Sequence, residues 1–235
     1  EKAVVRCASE PGLRVRAQEE EVVVRQRLQP GERCELLLKV PYVALESKGE
    51  LAALAGLEFE RCHREVTRFW RGENEKGSQL RSPVPQLDGL YAAHLSHVEF
   101  SDFSMPDDPD LINTSVGSST YGNFSNESCM IVQELEQRGF HDDCRRRLDL
   151  WVKYQGAVPQ PGNFADYEGM YFGAGGFESG NYNQHHGWVL WAMAEHFLLT
   201  RDRKWFGKVA DSVVAGADWV FRQRRETMKE LPHSR

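Results

Sequence analysis

His185-His186-Gly187-Trp188-Val189-Leu190-Trp191-Ala192-Met193-Ala194-Glu195-His196-Phe197-Leu198-Leu199-Thr200 is the run on which the fold turns. Apolar residues fill 188–194 and 197–199, so as a helix it is apolar almost all the way round and needs neighbours on every side. The preceding stretch, Gly156 to Gly187, carries eight glycines (156, 162, 169, 173, 175, 176, 180 and 187). Six aromatics (Phe164, Tyr167, Tyr171, Phe172, Phe177, Tyr182) and three carboxylates (Asp166, Glu168, Glu178) are set among them. A loop of this length inside a compact domain is uncommon unless it is functional or disordered, and the aromatics oppose disorder. The stretch reads as one wall of a binding site.

Downstream, only Arg201-Asp202 separates this helix from a one-sided one over 203–224. Its apolar stripe is Phe206, Val209, Val213, Ala217, Val220 and Phe221. The same sentence is written once before. A helix over 126–138 has a broad apolar face at Cys129 to Val132 and Leu135, and Gly139-Phe140-His141 turns the chain. A second helix over 142–154 sets Cys144, Leu148, Trp151 and Val152 against Arg145-Arg146-Arg147. Another helix covers 87–100, and everything regular after Pro83 and Pro85 is expected to be helical. The connections between the pairs each exceed twenty residues. Long loop, buried helix, tight turn, amphipathic helix: the pattern repeats in structure rather than in letters.

Upstream the texture changes. Val4-Val5, Leu13 with Val15, Val22 to Val24, and Leu36 to Val40 are short strand-like runs punctuated by Pro11-Gly12 and Pro30-Gly31. Residues 1–46 therefore read as strands at the end of a β-sandwich-like domain. Residues 47–84 read as a helical linker, from the spacing of Leu51, Leu54, Leu57, Cys62, Val66 and Phe69-Trp70. Residues 85–235 form the helical part.

Composition sets outer limits. The net charge of −6 gives no electrostatic reason to expect nucleic acid or an anionic membrane surface as partner. No apolar run reaches the ~18 residues a membrane span needs. The chain starts at Glu1 with neither a methionine nor a signal peptide. Five cysteines without a Cys-x-x-Cys pattern read as buried thiols rather than a disulfide framework or zinc site, and the compartment stays open.

An alternation of inner and outer helices with long loops gathered at one rim is what a ring of helical hairpins demands. The run from Gly187 to His196, followed by Leu199-Thr200-Arg201-Asp202 and Trp205, resembles a hairpin that recurs in the six-hairpin glycosidases. The resemblance implies a mainly α fold, an (α/α)6 toroid, and the preceding strands and linker match the bacterial arrangement. Such a toroid needs twelve helices. About five are legible here, so the chain is expected to be part of a larger protein that supplies the rest of the ring.

The resemblance also implies chemistry on oligo- or polysaccharides. Glycoside hydrolysis needs two carboxyl groups, one protonated acid and one ionised base or nucleophile. Glu127 stands at a helix start, where the macrodipole favours the carboxylate, which suits a base or nucleophile. Glu178 and Glu168 sit among aromatics able to raise a carboxyl pKa, with Asp166 beside them. Glu127 and Glu178 are the first expected pair. Tyr167, Phe177, Tyr182 and Trp188 offer ring faces to sugars, and Asn183, His185 and His186 offer hydrogen bonds. Adjacent histidines on a helix diverge by about 100°, so His185-His186 is not read as a metal pair, and neither metal nor organic cofactor is expected. Two other classes stay open: a glycan-binding scaffold without turnover, and a polysaccharide lyase or phosphorylase, for which Tyr182 with His185 would be the working pair. Asn113, Asn123 and Asn126 each open an Asn-x-Ser/Thr sequon.

Overall fold

The computed structural model describes residues 6–9, 14–18, 21–33, 36–41, 44–115, 123–158, 164–171 and 185–230. The chain divides into two units, 1–70 and 71–235, with the division falling inside one helix.

The first unit holds two antiparallel strand pairs. β1 (Arg6–Ser9) pairs with β4 (Leu36–Lys39), and β2 (Arg14–Gln18) pairs with β3 (Glu21–Arg25). Val4-Val5 lie outside the described residues. α1 (Lys48–Gly56) opens with a reciprocal cap: Ser47 Oγ accepts from Glu50 N, and Glu50 accepts from the Ser47 amide. α2 (Phe59–Lys76) follows after a two-residue break.

The second unit is mainly helical. α3 (Pro85–Glu99), α4 (Ser125–Arg138), α5 (His141–Lys153), α6 (His185–Thr200) and α7 (Arg203–Glu230) match the five expected helices. α4 and α5 form one hairpin, closed at Gly139, whose left-handed φ of 93° suits a residue without a Cβ. α6 and α7 form the second, closed by Asp202, whose Oδ1 accepts from Trp205 N at 2.9 Å. α4 packs more extensively on α6 than on any other helix. Glu136 of α4 meets His196 of α6 near the C-terminal end of each, so the two run side by side in one direction. The core lies between them and α5, with Cys129, Val132, Leu135, Leu148, Trp151, Val189, Met193 and Trp205 all buried. Each large side chain removed from water there contributes about 1.5–3 kcal/mol.

Two expectations are corrected. The connection from α3 to α4 is not irregular throughout. β5 (Phe103–Met105) and β6 (Asp108–Asn113) make an antiparallel hairpin packed on α5. Met105, Leu111 and Asn113 point inward at alternating positions, and the acidic tip is held by Lys153 Nζ, 2.8 Å from Asp107. The second concerns α6, which is not covered all round. His186, Val189, Ala192, Met193 and His196 are buried, whereas Trp191, Leu198 and Leu199 are 39–50% exposed.

Candidate active site at the start of helix α4

α4 begins without a side-chain cap, since Phe124 occupies the N-cap position. The amides of Asn126 and Glu127 therefore have no acceptor inside the helix. Around them the side chains leave oxygens unmatched. Asn123 and Ser128 are each 1% exposed, and Asn123 Oδ1 and Ser128 Oγ meet no hydrogen-bond partner. Asn126 and Glu127 are half-buried, and Asn126 Oδ1 and Glu127 Oε2 are likewise buried and unmatched. Leaving a buried polar atom unmet costs about 1–3 kcal/mol, more for a charged group. Four such atoms within six consecutive residues mark a region not built for stability alone. The sequence exposed Glu127 through its place at a helix start. Asn123, Asn126 and Ser128 were hidden in sequons, and burial of Asn113 and Asn123 removes both from reach of glycosylation in the folded chain.

The long loop tells a different story where it is described. Asp166 is an anchor: Arg222 Nη2 lies 3.1 Å from its Oδ1, and this contact holds its carboxyl below the usual range. Its backbone oxygen accepts from Trp219 Nε1 at 2.9 Å, and Gln223 Oε1 accepts from Ala165 N at 2.8 Å. Gly169 lies so close to α7 that a Cβ there would sit 2.5 Å from Ala215 O, at a φ of +82°. Tyr167 and Glu168 are exposed on this stapled segment. Glu178, Phe177, Tyr182 and Asn183 lie outside the described residues.

His186 has both ring nitrogens occupied inside the protein. Nδ1 accepts from Tyr171 N at 2.9 Å and Nε2 donates to Gly216 O at 2.8 Å. Tyr171 and Trp219 pack against its faces, and burial lowers its pKa to about 4. It is a neutral structural histidine and has no free nitrogen for a sugar hydroxyl. His185 occupies the first position of α6. Trp188 is half-buried against the core, with Trp191 edge-on at 5.3 Å.

Two buried ionic groups went unnoticed in the sequence. Glu136, fully buried, accepts from His196 Nδ1 through one oxygen and from His141 Nδ1 at 2.5 Å through the other. Burial alone would raise its carboxyl pKa, and the two imidazoles bring it below the usual range. Arg147 pairs with Asp102 in the interior. Burial pushes Asp102 up to about 6 and the neighbouring Glu99 up to about 7, against the pull of Arg147. His94 and His97 line an open cleft of about 290 Å³ between α3 and α4, where His94 Nδ1 lies 2.9 Å from Glu134. Among the described residues no group of three or more His, Cys, Asp or Glu side chains is arranged to hold a metal ion. No described helix is long and apolar enough to cross a membrane. No protein-family model, curated protein or solved structure matches the chain.

Proposed function

We propose that this chain belongs to a carbohydrate-active enzyme, a glycoside hydrolase built on an α/α-toroid frame, with Glu127 as its base or nucleophile. The observation that carries the reading is Glu127 itself: a half-buried carboxylate at the positive end of a helix, with one oxygen enclosed and no partner. A carboxylate at this position is attracted by the positive end of the helix, and its half-buried side chain leaves part of it open to a substrate. Two parallel apolar helices, each backed by an amphipathic one, support the frame. Glu178 is assigned as the acid, from its aromatic sequence neighbours. Asp166 is set aside because Arg222 engages its carboxylate, and Glu168 stays a candidate beside Glu178.

The test is product analysis on a glycan panel in water enriched in heavy oxygen, with Glu127→Gln and Glu178→Gln variants alongside. New reducing ends carrying solvent oxygen are expected, reduced more than about a hundredfold in Glu127→Gln, within the range of losing one catalytic group. Near-normal turnover in that variant would remove Glu127 from the chemistry. Unsaturated ends would move the reaction to elimination.

A further inference from the structure

We propose that the cleft between α3 and α4 binds a small neutral aromatic molecule bearing a hydroxyl, of the phenol class. Glu127 does not line this cleft, and the proposal is independent of the carbohydrate reading. The two helices run antiparallel here. Tyr91 of α3 meets Arg138 of α4, and His94, about one turn further along α3, meets Glu134, about one turn back along α4. The cleft of about 290 Å³ is roughly twice a cavity that holds one benzene ring. Val98, Met130 and Ile131 give it an aliphatic side. Met130, 50% exposed on that side, offers a thioether, which makes favourable contacts with aromatic rings.

The polar side is held from the interior outward. Arg138 is buried, with its Cζ 3.8 Å from the centre of the Tyr91 ring and its Nη1 donating to Tyr91 O at 2.9 Å. Its Nη2 pairs with Glu134 at 2.6 Å, and Glu134 accepts from His94 Nδ1 at 2.9 Å. A carboxylate can only accept, so the proton of the neutral imidazole sits on Nδ1 and leaves Nε2 as an acceptor. A bound carboxylate would bring Nε2 no proton and would meet Glu134 beside it. An ammonium group would give up its hydration against aliphatic side chains, with the charge of Glu134 already compensated by Arg138. A neutral hydroxyl donates to Nε2 at no such cost, while its ring covers Val98, Met130 and Ile131.

Equilibrium dialysis of the full chain against 2-naphthol, naphthalene and 2-naphthoate, at about pH 8 and thus above the ordinary imidazole range, tests this. 2-Naphthol is expected to bind at one site, with naphthalene and 2-naphthoate each about fivefold weaker or more, the worth of one neutral hydrogen bond. His94→Phe keeps a ring on an exposed position but removes the acceptor. It should bring 2-naphthol down to the level of naphthalene and leave naphthalene within about twofold. Met130→Gln, also at an exposed position, should instead weaken 2-naphthol and naphthalene together, by about threefold, because the aliphatic side is lost to both. Naphthalene or 2-naphthoate binding as tightly as 2-naphthol would overturn the assigned ligand class. Unchanged 2-naphthol affinity in His94→Phe, or in Met130→Gln, would remove the site from this cleft, and no binding of 2-naphthol would overturn the proposal outright.

Discussion

Replacing Glu136 with leucine probes a buried tie between the two hairpins. Leucine approximates the volume of the glutamate side chain, so little of the effect comes from a cavity. What is lost is the acceptor for His196 Nδ1–H, a donor on a side chain only 2% exposed. An orphaned buried donor costs about 1–3 kcal/mol. The second lost bond, to His141, adds less because that side chain is 47% exposed, about 0.5 kcal/mol on the scale of partly solvated pairs. The expected loss is therefore about 2–3 kcal/mol, and His141→Ala alone should cost under about 1 kcal/mol. Urea unfolding followed by tryptophan fluorescence measures both, with Trp205 reporting locally because its ring lies edge-on to His196 at 4.4 Å. Glu136→Leu combined with His196→Leu should cost less than the sum of the single changes, since the double variant leaves no charge or donor stranded. A Glu136→Leu protein within about 0.5 kcal/mol of the parent, or strictly additive single changes, would refute the reasoning.

Further outcomes follow from other sites. Gly169→Ala should destabilise by more than about 2 kcal/mol, combining left-handed backbone with a clash against Ala215 O. Gly139→Ala, at a φ of +93° but with open space around it, should cost only about 1 kcal/mol, and denaturant midpoints separate the two. His186 titrates lower in the folded chain than in the unfolded one, so the unfolded state takes up its proton first. Its stabilising contribution is therefore complete above pH 6.5 and falls away toward pH 4, by about 3 kcal/mol in all. A His186→Gln variant should show a flatter acid arm in unfolding experiments across that interval. Glu127→Gln should keep or raise stability by up to about 1 kcal/mol while abolishing turnover, because no partner is lost; thermal unfolding beside the product assay checks this.

The helices were legible because their signals are local. Apolar periodicity, Gly139 and the two-residue turn at Arg201-Asp202 placed the five helix starts within two residues. The β5–β6 hairpin was missed because Pro106, Asp107, Asp108 and Pro109 look like a loop, although Met105 and Leu111 carried the inward alternation. The partners that decide side-chain roles lie far away in sequence. His186 is claimed by Gly216, 30 residues on, and Glu136 by His196, 60 residues on. Asp166 likewise looked available until Arg222 appeared opposite it. The place of Glu127 at a helix start was visible in sequence; its unmatched oxygen was not, since a missing partner is a property of three dimensions.

The stapling of residues 164–171 to α7 carries a consequence for the order in which the chain acquires its structure. The two hairpins close through turns of a few residues, so each can form early by local encounter. The staples at Ala165 and Asp166 instead join residues 53 to 58 positions apart, reaching over the whole of α6. That segment can settle only after α7 has folded back along α6, and any truncation that removes Trp219, Arg222 and Gln223 leaves it without a seat. During synthesis the loop must therefore wait for the last described helix to leave the ribosome.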